Sequence, residues 1–213
     1  MKNKGLIMIL LGTVLLLAAV SLVIYNISED RNGGKYAQSA LTIMLEEMPE
    51  TRYATTTATT AYSEDLFAEY ETTTTTTIAD DVVMIEDRPY IGMIEVPSQQ
   101  IQLPVLQDWN KEFLQYAPCR YSGSPKTNSL VLAGHNYTKH FGKLFSVNVG
   151  DPIYFTDVNG LVYQYAVTYV EVLEGGDIEG MLDQDMSRWD LTLFTCTLSG
   201  QSRMTVRAER VMT

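Results

Sequence analysis

The chain has 213 residues and a formal net charge of −11 at neutral pH. That length suits one modest domain with accessory segments, and the acidic balance argues against a nucleic-acid partner, since phosphate backbones recruit Lys and Arg. Two cysteines, two histidines and the lack of any CxxC or HExxH pattern exclude a disulfide scaffold and point away from zinc chemistry; no metal or cofactor is expected.

Residues 6–27 hold no charged side chain over 22 positions. At about 1.5 Å per residue they make about 33 Å of helix, enough for a hydrocarbon core of about 30 Å. Lys2 and Lys4 precede the run, and Glu29 and Asp30 follow it. The basic flank predicts a cytoplasmic N-terminus (residues 1–5), a single transmembrane anchor (6–27) and an extracellular remainder. The alternative is a signal peptide cut near Ala18-Ala-Val20, but the apolar run exceeds the usual about 7–15 residues of such a signal.

Residues 28–87 read as an extracellular linker. Within it, 40–47 carry a partly helical pattern, with Leu41, Met44, Leu45 and Met48 on one side. Residues 51–77 contain twelve threonines and neither Pro nor Gly. Such a run buries too little apolar surface to offset its ordering entropy, so it reads as a disordered tether, with a marginal strand as the alternative. From residue 88 the pattern changes to short apolar runs with turn signals. Strands are expected at 90–96, 101–106, 129–133, 153–156, 161–172, 191–195 and 204–211. Pro104 marks the second as an edge or bulge. Asp157-Val-Asn-Gly160 closes a hairpin, 111–116 reads as a short helix, and Asp177 caps a helix over 177–189. The fold class is mainly β, a closed barrel with short helices, and residues 88–213 suffice for one such domain.

Three side chains stand at the ends of these strands. Cys196 closes one and opens a polar loop; its alternatives are a buried structural cysteine or a disulfide to Cys119. His135 follows Gly134 at the end of the 129–133 strand, with His140 as a competing candidate. If the 129–133 and 190–195 strands run parallel as neighbours, His135 and Cys196 emerge at the same end. Arg203 opens the last strand, where Met204, Val206 and Ala208 alternate with Arg203, Thr205 and Arg207, so Arg203 lies off the packed face. Together the three supply a nucleophile, a proton-transfer group and a cation, a coherent set for acyl transfer.

Thr192-Leu-Phe-Thr-Cys196, the following Arg203, the Ala133-Gly-His-Asn136 turn and Tyr90-Ile-Gly-Met-Ile-Glu-Val-Pro97 resemble the sortase family over residues 88–211. The resemblance implies an eight-stranded sortase barrel and a catalytic set of Cys196, His135 and Arg203, with Ala133, Asn136 and Thr195 at the substrate. It implies cleavage of a C-terminal sorting signal such as Leu-Pro-x-Thr-Gly on secreted proteins. A Cys thioacyl intermediate would then pass to an amine of a cell-wall precursor or a pilin lysine. The Gly-His-Asn triplet and the 177–189 helix lean towards class B, and the short Cys-to-Arg loop also fits class D. The rival reading is a non-enzymatic adhesion domain on a membrane stalk.

Overall fold

The computed structural model describes residues 2–53, 81–182 and 189–211. The threonine-rich run, apart from its first residues, and residues 183–188 of the expected 177–189 helix lie outside the described residues.

One helix, α1 (Lys2–Glu47), carries the apolar run and continues well beyond it. Its first part is long and apolar enough to cross a membrane, and none of that stretch is buried within the protein. The second part has a different face. Ala37, Ala40, Leu41 and Met44 are buried, a spacing that puts one stripe against a neighbour. Ala40, Leu41 and Met44 pack on Ile85, Tyr90, Met93, Leu106 and Cys119. Residues 28–47 are therefore not a free linker; helix and barrel share one apolar layer. Leu45, expected on that side, is exposed. A two-residue strand, β1 (Arg52–Tyr53), follows.

Eight strands close the barrel: β3 (Arg88–Val96), β4 (Ile101–Leu106), β5 (Cys119–Ser122), β6 (Leu130–Gly134), β7 (Pro152–Asp157), β8 (Leu161–Glu174), β9 (Leu191–Cys196) and β10 (Ser202–Arg210). The hydrogen-bonded path runs β8-β10-β9-β6-β5-β4-β3, and β7 pairs with both β3 and β8 to complete the ring. The closed eight-stranded barrel that the resemblance implied is what forms; the strand pattern had supplied seven of its strands, and β5 (Cys119–Ser122) is the one it missed. Two short strands extend it, β1 beside β8 and β2 (Val83–Ile85) beside β3.

Most expected strands fall within a residue or two of those observed. The expected helix at 111–116 is a 3₁₀ turn, Phe113–Gln115. A short helix, α2 (Ile178–Leu182), begins where Asp177 accepts the Gly180 N–H at 2.8 Å. Pro104 sits in β4 opposite Met93 of β3, while β5 meets β4 only at Leu106. The Pro side of β4 is thus an edge, where a missing N–H costs little. β3 bends at Gly92, where the register slips and an added Cβ would collide with the Thr156 carbonyl oxygen.

Candidate active site

β6 and β9 are parallel neighbours with Gly134 opposite Thr195. The next residue on each strand, His135 and Cys196, therefore leaves the barrel at the same rim. β10 returns antiparallel and sets Arg203 opposite Cys196. Side-chain alternation then decides the face. Leu130, Leu132, Leu191, Leu193, Met204, Val206 and Ala208 fill the barrel interior. Val131, Ala133 and Phe194 pack outside it with Met181 of α2. His135 lies two residues beyond Ala133 and Cys196 two beyond Phe194, and Arg203 opposes Cys196. All three belong to the outer face, at its open end.

That face is a groove of about 240 Å³ walled by Cys196, Arg203, Ala133, Thr195, Trp109 and Tyr121, among others. His135 stands in the wall of an adjoining larger cavity of about 620 Å³, which shares Trp109 and Leu114 with the groove. Asn136 lines the larger cavity and its side-chain amide donates to the Thr197 carbonyl at 3.4 Å, tying the His135 loop to the Cys196 loop. Arg203 donates through Nη1 to the Gly200 and Ser202 carbonyls at 3.0 and 3.1 Å, which stiffens the turn between cysteine and arginine.

Cys196 is a free, half-buried thiol, and Cys119 is free and buried. Burial pushes the Cys119 thiol up to about 12, so it stays protonated and inert as a structural residue. The expected alternative of a Cys119–Cys196 disulfide does not form. His135 stacks on Tyr137 with centroids 4.5 Å apart. Burial pulls its pKa below the ordinary histidine value, and the Glu29 carboxylate on α1 opposes that shift. His140, the rival candidate, is wholly inaccessible. Burial drives it down to about 4, against a smaller upward pull from the Gly33 backbone. It faces neither cavity and leaves His135 as the accessible imidazole.

Two further supports were not read from the sequence. The first is α1. Asp30 accepts the Thr138 N–H at 2.6 Å, and Gly33 and Gly34 let the helix ride close on Tyr137 and Lys139, where added Cβ atoms would come within 3.0 and 2.8 Å. A Gly-Gly pair inside a helix was the available signal. The second is Arg207, which is 2% exposed. It donates to the Met181 carbonyl and Thr192 Oγ1 at 3.0 Å each, touches the Gly180 carbonyl and pairs with Glu171 at 3.1 Å. Strand alternation places Arg207 on Arg203's face, but only α2, folded over it, explains why a cation is buried there.

A free thiol, an imidazole and a guanidinium at one barrel rim are the elements of thiol-based acyl transfer. Comparison with known proteins agrees with that class. A family profile for the sortase domain matches residues 94–211. Sortase A of Bacillus anthracis is 32% identical over 117 residues, 53% of this chain and 54% of the relative. The chain thus spans about half the length of that curated relative. Among solved structures, sortase A from Corynebacterium diphtheriae superposes with a TM-score of 0.51 at 28% identity, covering 58% of this chain and 61% of that one. Sortase C1 from Streptococcus agalactiae does so with a TM-score of 0.51 at 26% identity, covering 60% and 70%. The chain belongs to the sortase family.

Proposed function

We propose that this protein is a membrane-anchored cysteine transpeptidase that cuts a C-terminal sorting signal of Leu-Pro-x-Thr-Gly type on secreted proteins and joins the new end to an amine. Residues 6–27 cross the membrane with the N-terminus in the cytoplasm, and the barrel works outside the cell. The carrying observation is the register itself: Gly134 opposite Thr195 across the β6–β9 pair, each followed directly by His135 and Cys196, and Arg203 opposite Cys196 across β9–β10.

The Cys196 thiolate attacks the threonine carbonyl carbon. Arg203 stabilises the oxyanion or the donor backbone, a cation placed where charge develops. The C–N bond breaks, His135 gives a proton to the leaving amine, and a thioester remains on Cys196. An acceptor amine then attacks the same carbonyl, its proton passes to His135, and the C–S bond breaks to return the thiolate. Ala133 and Thr195 line the donor groove, and Asn136 holds the two catalytic loops together. The acceptor is an amine of a cell-wall precursor or a pilin lysine.

Mass spectrometry of the full chain incubated with a panel of sorting peptides tests this. A thioacyl adduct on Cys196 is expected, with loss of cleavage in Cys196→Ala and a drop of at least a hundredfold in His135→Ala and Arg203→Ala. Cleavage that survives Cys196→Ala would end the proposal.

A further inference from the structure

A histidine that gives a proton at one step and takes one at the next must keep its ring in a productive orientation. In many nucleophile–base pairs a third polar group fixes that orientation through the far ring nitrogen. His135 has no such group. Its ring makes no hydrogen bond or ion pair among the described residues. It stands in the segment 135–140, which joins β6 to the 3₁₀ turn Phe141–Ser146 and has no regular structure of its own. Glu29 acts on it only as a charge. What the imidazole does meet is the face of Tyr137, with centroids 4.5 Å apart and planes 21° from parallel.

Tyr137 is itself held from several directions. Its carbonyl accepts the His140 and Gly142 N–H groups at 3.0 Å each, and the His135 carbonyl accepts the Phe141 N–H at 3.0 Å, so the loop folds back on itself. Gly142 permits this turn: a Cβ there would come within 2.6 Å of both the Asn136 and the Tyr137 carbonyl oxygens. The buried His140 ring lies against the Tyr137 ring, with centroids 5.4 Å apart and planes at 50°. Gly33 of α1 meets the ring edge, where a Cβ would stand 3.0 Å from Cδ2. The Tyr137 hydroxyl, by contrast, makes no hydrogen bond among the described residues. The surroundings fix the ring and leave the hydroxyl unused.

We infer that Tyr137 is a positioning residue for the transpeptidase: its ring face, not its hydroxyl, holds the His135 imidazole in the orientation from which it exchanges protons at Cys196. This deepens the reading of His135 as the proton-transfer group and rests on it. A histidine side chain has three staggered χ1 wells and two broad χ2 orientations, roughly six states in all. The stack selects one of them. Without it, turnover falls, while donor binding, which belongs to the groove of Cys196 and Arg203, does not. The chemistry favours a ring face over a polar partner. A hydrogen-bonding partner fits only one arrangement of protons on the two nitrogens. An aromatic face meets the whole imidazole and suits both its neutral and its protonated form, as a group that passes a proton in both directions requires.

The test uses the full chain in micelles, with ring-labelled histidine for NMR and a Leu-Pro-x-Thr-Gly peptide as donor. In wild type the ring current of Tyr137 is expected to move the His135 Cε1 proton upfield of the exposed-histidine position; the other histidine signal is assigned by its loss in His140→Phe. Tyr137→Phe is expected to keep that shift and most of the cleavage. Tyr137→Leu is expected to lose the shift and to lower kcat about fivefold, as the count of ring states requires, with the peptide KM changed by less than about twofold. A His135 proton at the exposed position in wild type overturns the inference, whether or not any variant folds. So does a Tyr137→Phe that loses as much activity as Tyr137→Leu, or a Tyr137→Leu that changes KM alone or neither constant. A wild type that shows the shift but cleaves no sorting peptide would instead sink the transpeptidase reading on which this inference rests.

Discussion

Replacing Gly34 with leucine separates a docked α1 from a free-standing stalk, because the two arrangements predict opposite signs. In an isolated helix Gly→Leu is favourable by roughly 0.8 kcal/mol. Against the barrel, a Cβ at Gly34 already sits 2.8 Å from both Cβ and Cγ of Lys139, well inside the about 3.5–4.0 Å of comfortable carbon contact, and the rest of a leucine has to go further. Overpacking of this kind costs about 1–3 kcal/mol. The helix cannot simply lift away, since Leu41 and Met44 are buried to within 2% and each contributes about 1.5–3 kcal/mol. The expected net effect is a loss of about 1–2 kcal/mol, taken up by displacement of the 137–139 loop, and a fall in donor cleavage as His135 moves with it. Urea unfolding of the full chain in micelles, followed by the fluorescence of Trp109 and Trp189, reads the first. Peptide cleavage reads the second. Gly12→Leu is the control, because nothing lies within 4 Å of a Cβ there. A higher urea midpoint for Gly34→Leu would refute the docked arrangement.

Three other outcomes follow from the same structure. Iodoacetamide is expected to modify one thiol in the native protein, Cys196, and to reach Cys119 only after denaturation; intact-mass measurement counts both, and rapid double labelling would contradict the buried position of Cys119. His140 has a folded pKa of about 4 against about 6.5 unfolded, so the unfolded chain binds its proton first, and stability is lost as pH falls from about 6.5 towards about 4, by about 3 kcal/mol in all. In His140→Phe that contribution to the acid slope disappears, which denaturation midpoints at several pH values measure; an unchanged slope would show that His140 is not buried neutral. Arg207→Met is expected to cost about 2–3 kcal/mol rather than the full about 3–5 of a wholly buried pair, because the Glu171 side chain is 25% exposed and regains water. Arg207→Lys keeps the charge but loses the planar fork that serves Met181, Gly180 and Thr192, and should fall between the two in the same urea measurement.

Much of the site was legible because local rules carry it. A 22-residue uncharged run declares a membrane-length helix by length alone. Period-two alternation assigns Met204, Val206 and Ala208 inward and Arg203 outward without reference to any partner. The parallel pairing of the two strands that end in His135 and Cys196 needed only a long enough connection, and a parallel pair delivers both ends to one rim. Other features are not written locally. Residues 28–47 look like a polar, mixed stretch until the barrel supplies Ile85, Tyr90 and Met93 as the surface that buries Ala40, Leu41 and Met44. His135 and His140 are both loop histidines in the sequence; only packing makes one accessible and the other a neutral core group.

By itself, then, the amino-acid order determined seven of the eight barrel strands, which faces of them are apolar, and which three reactive side chains stand at strand ends, because propensity and alternation act within a few residues. The tertiary structure decided how α1 lies against the His135 loop, why a guanidinium is buried under α2, and that two cavities meet where the reactive side chains emerge. Those outcomes depend on surfaces contributed by residues up to about a hundred positions apart, such as Asp30 and Thr138, and no local pattern records a contact whose other half lies elsewhere in the chain.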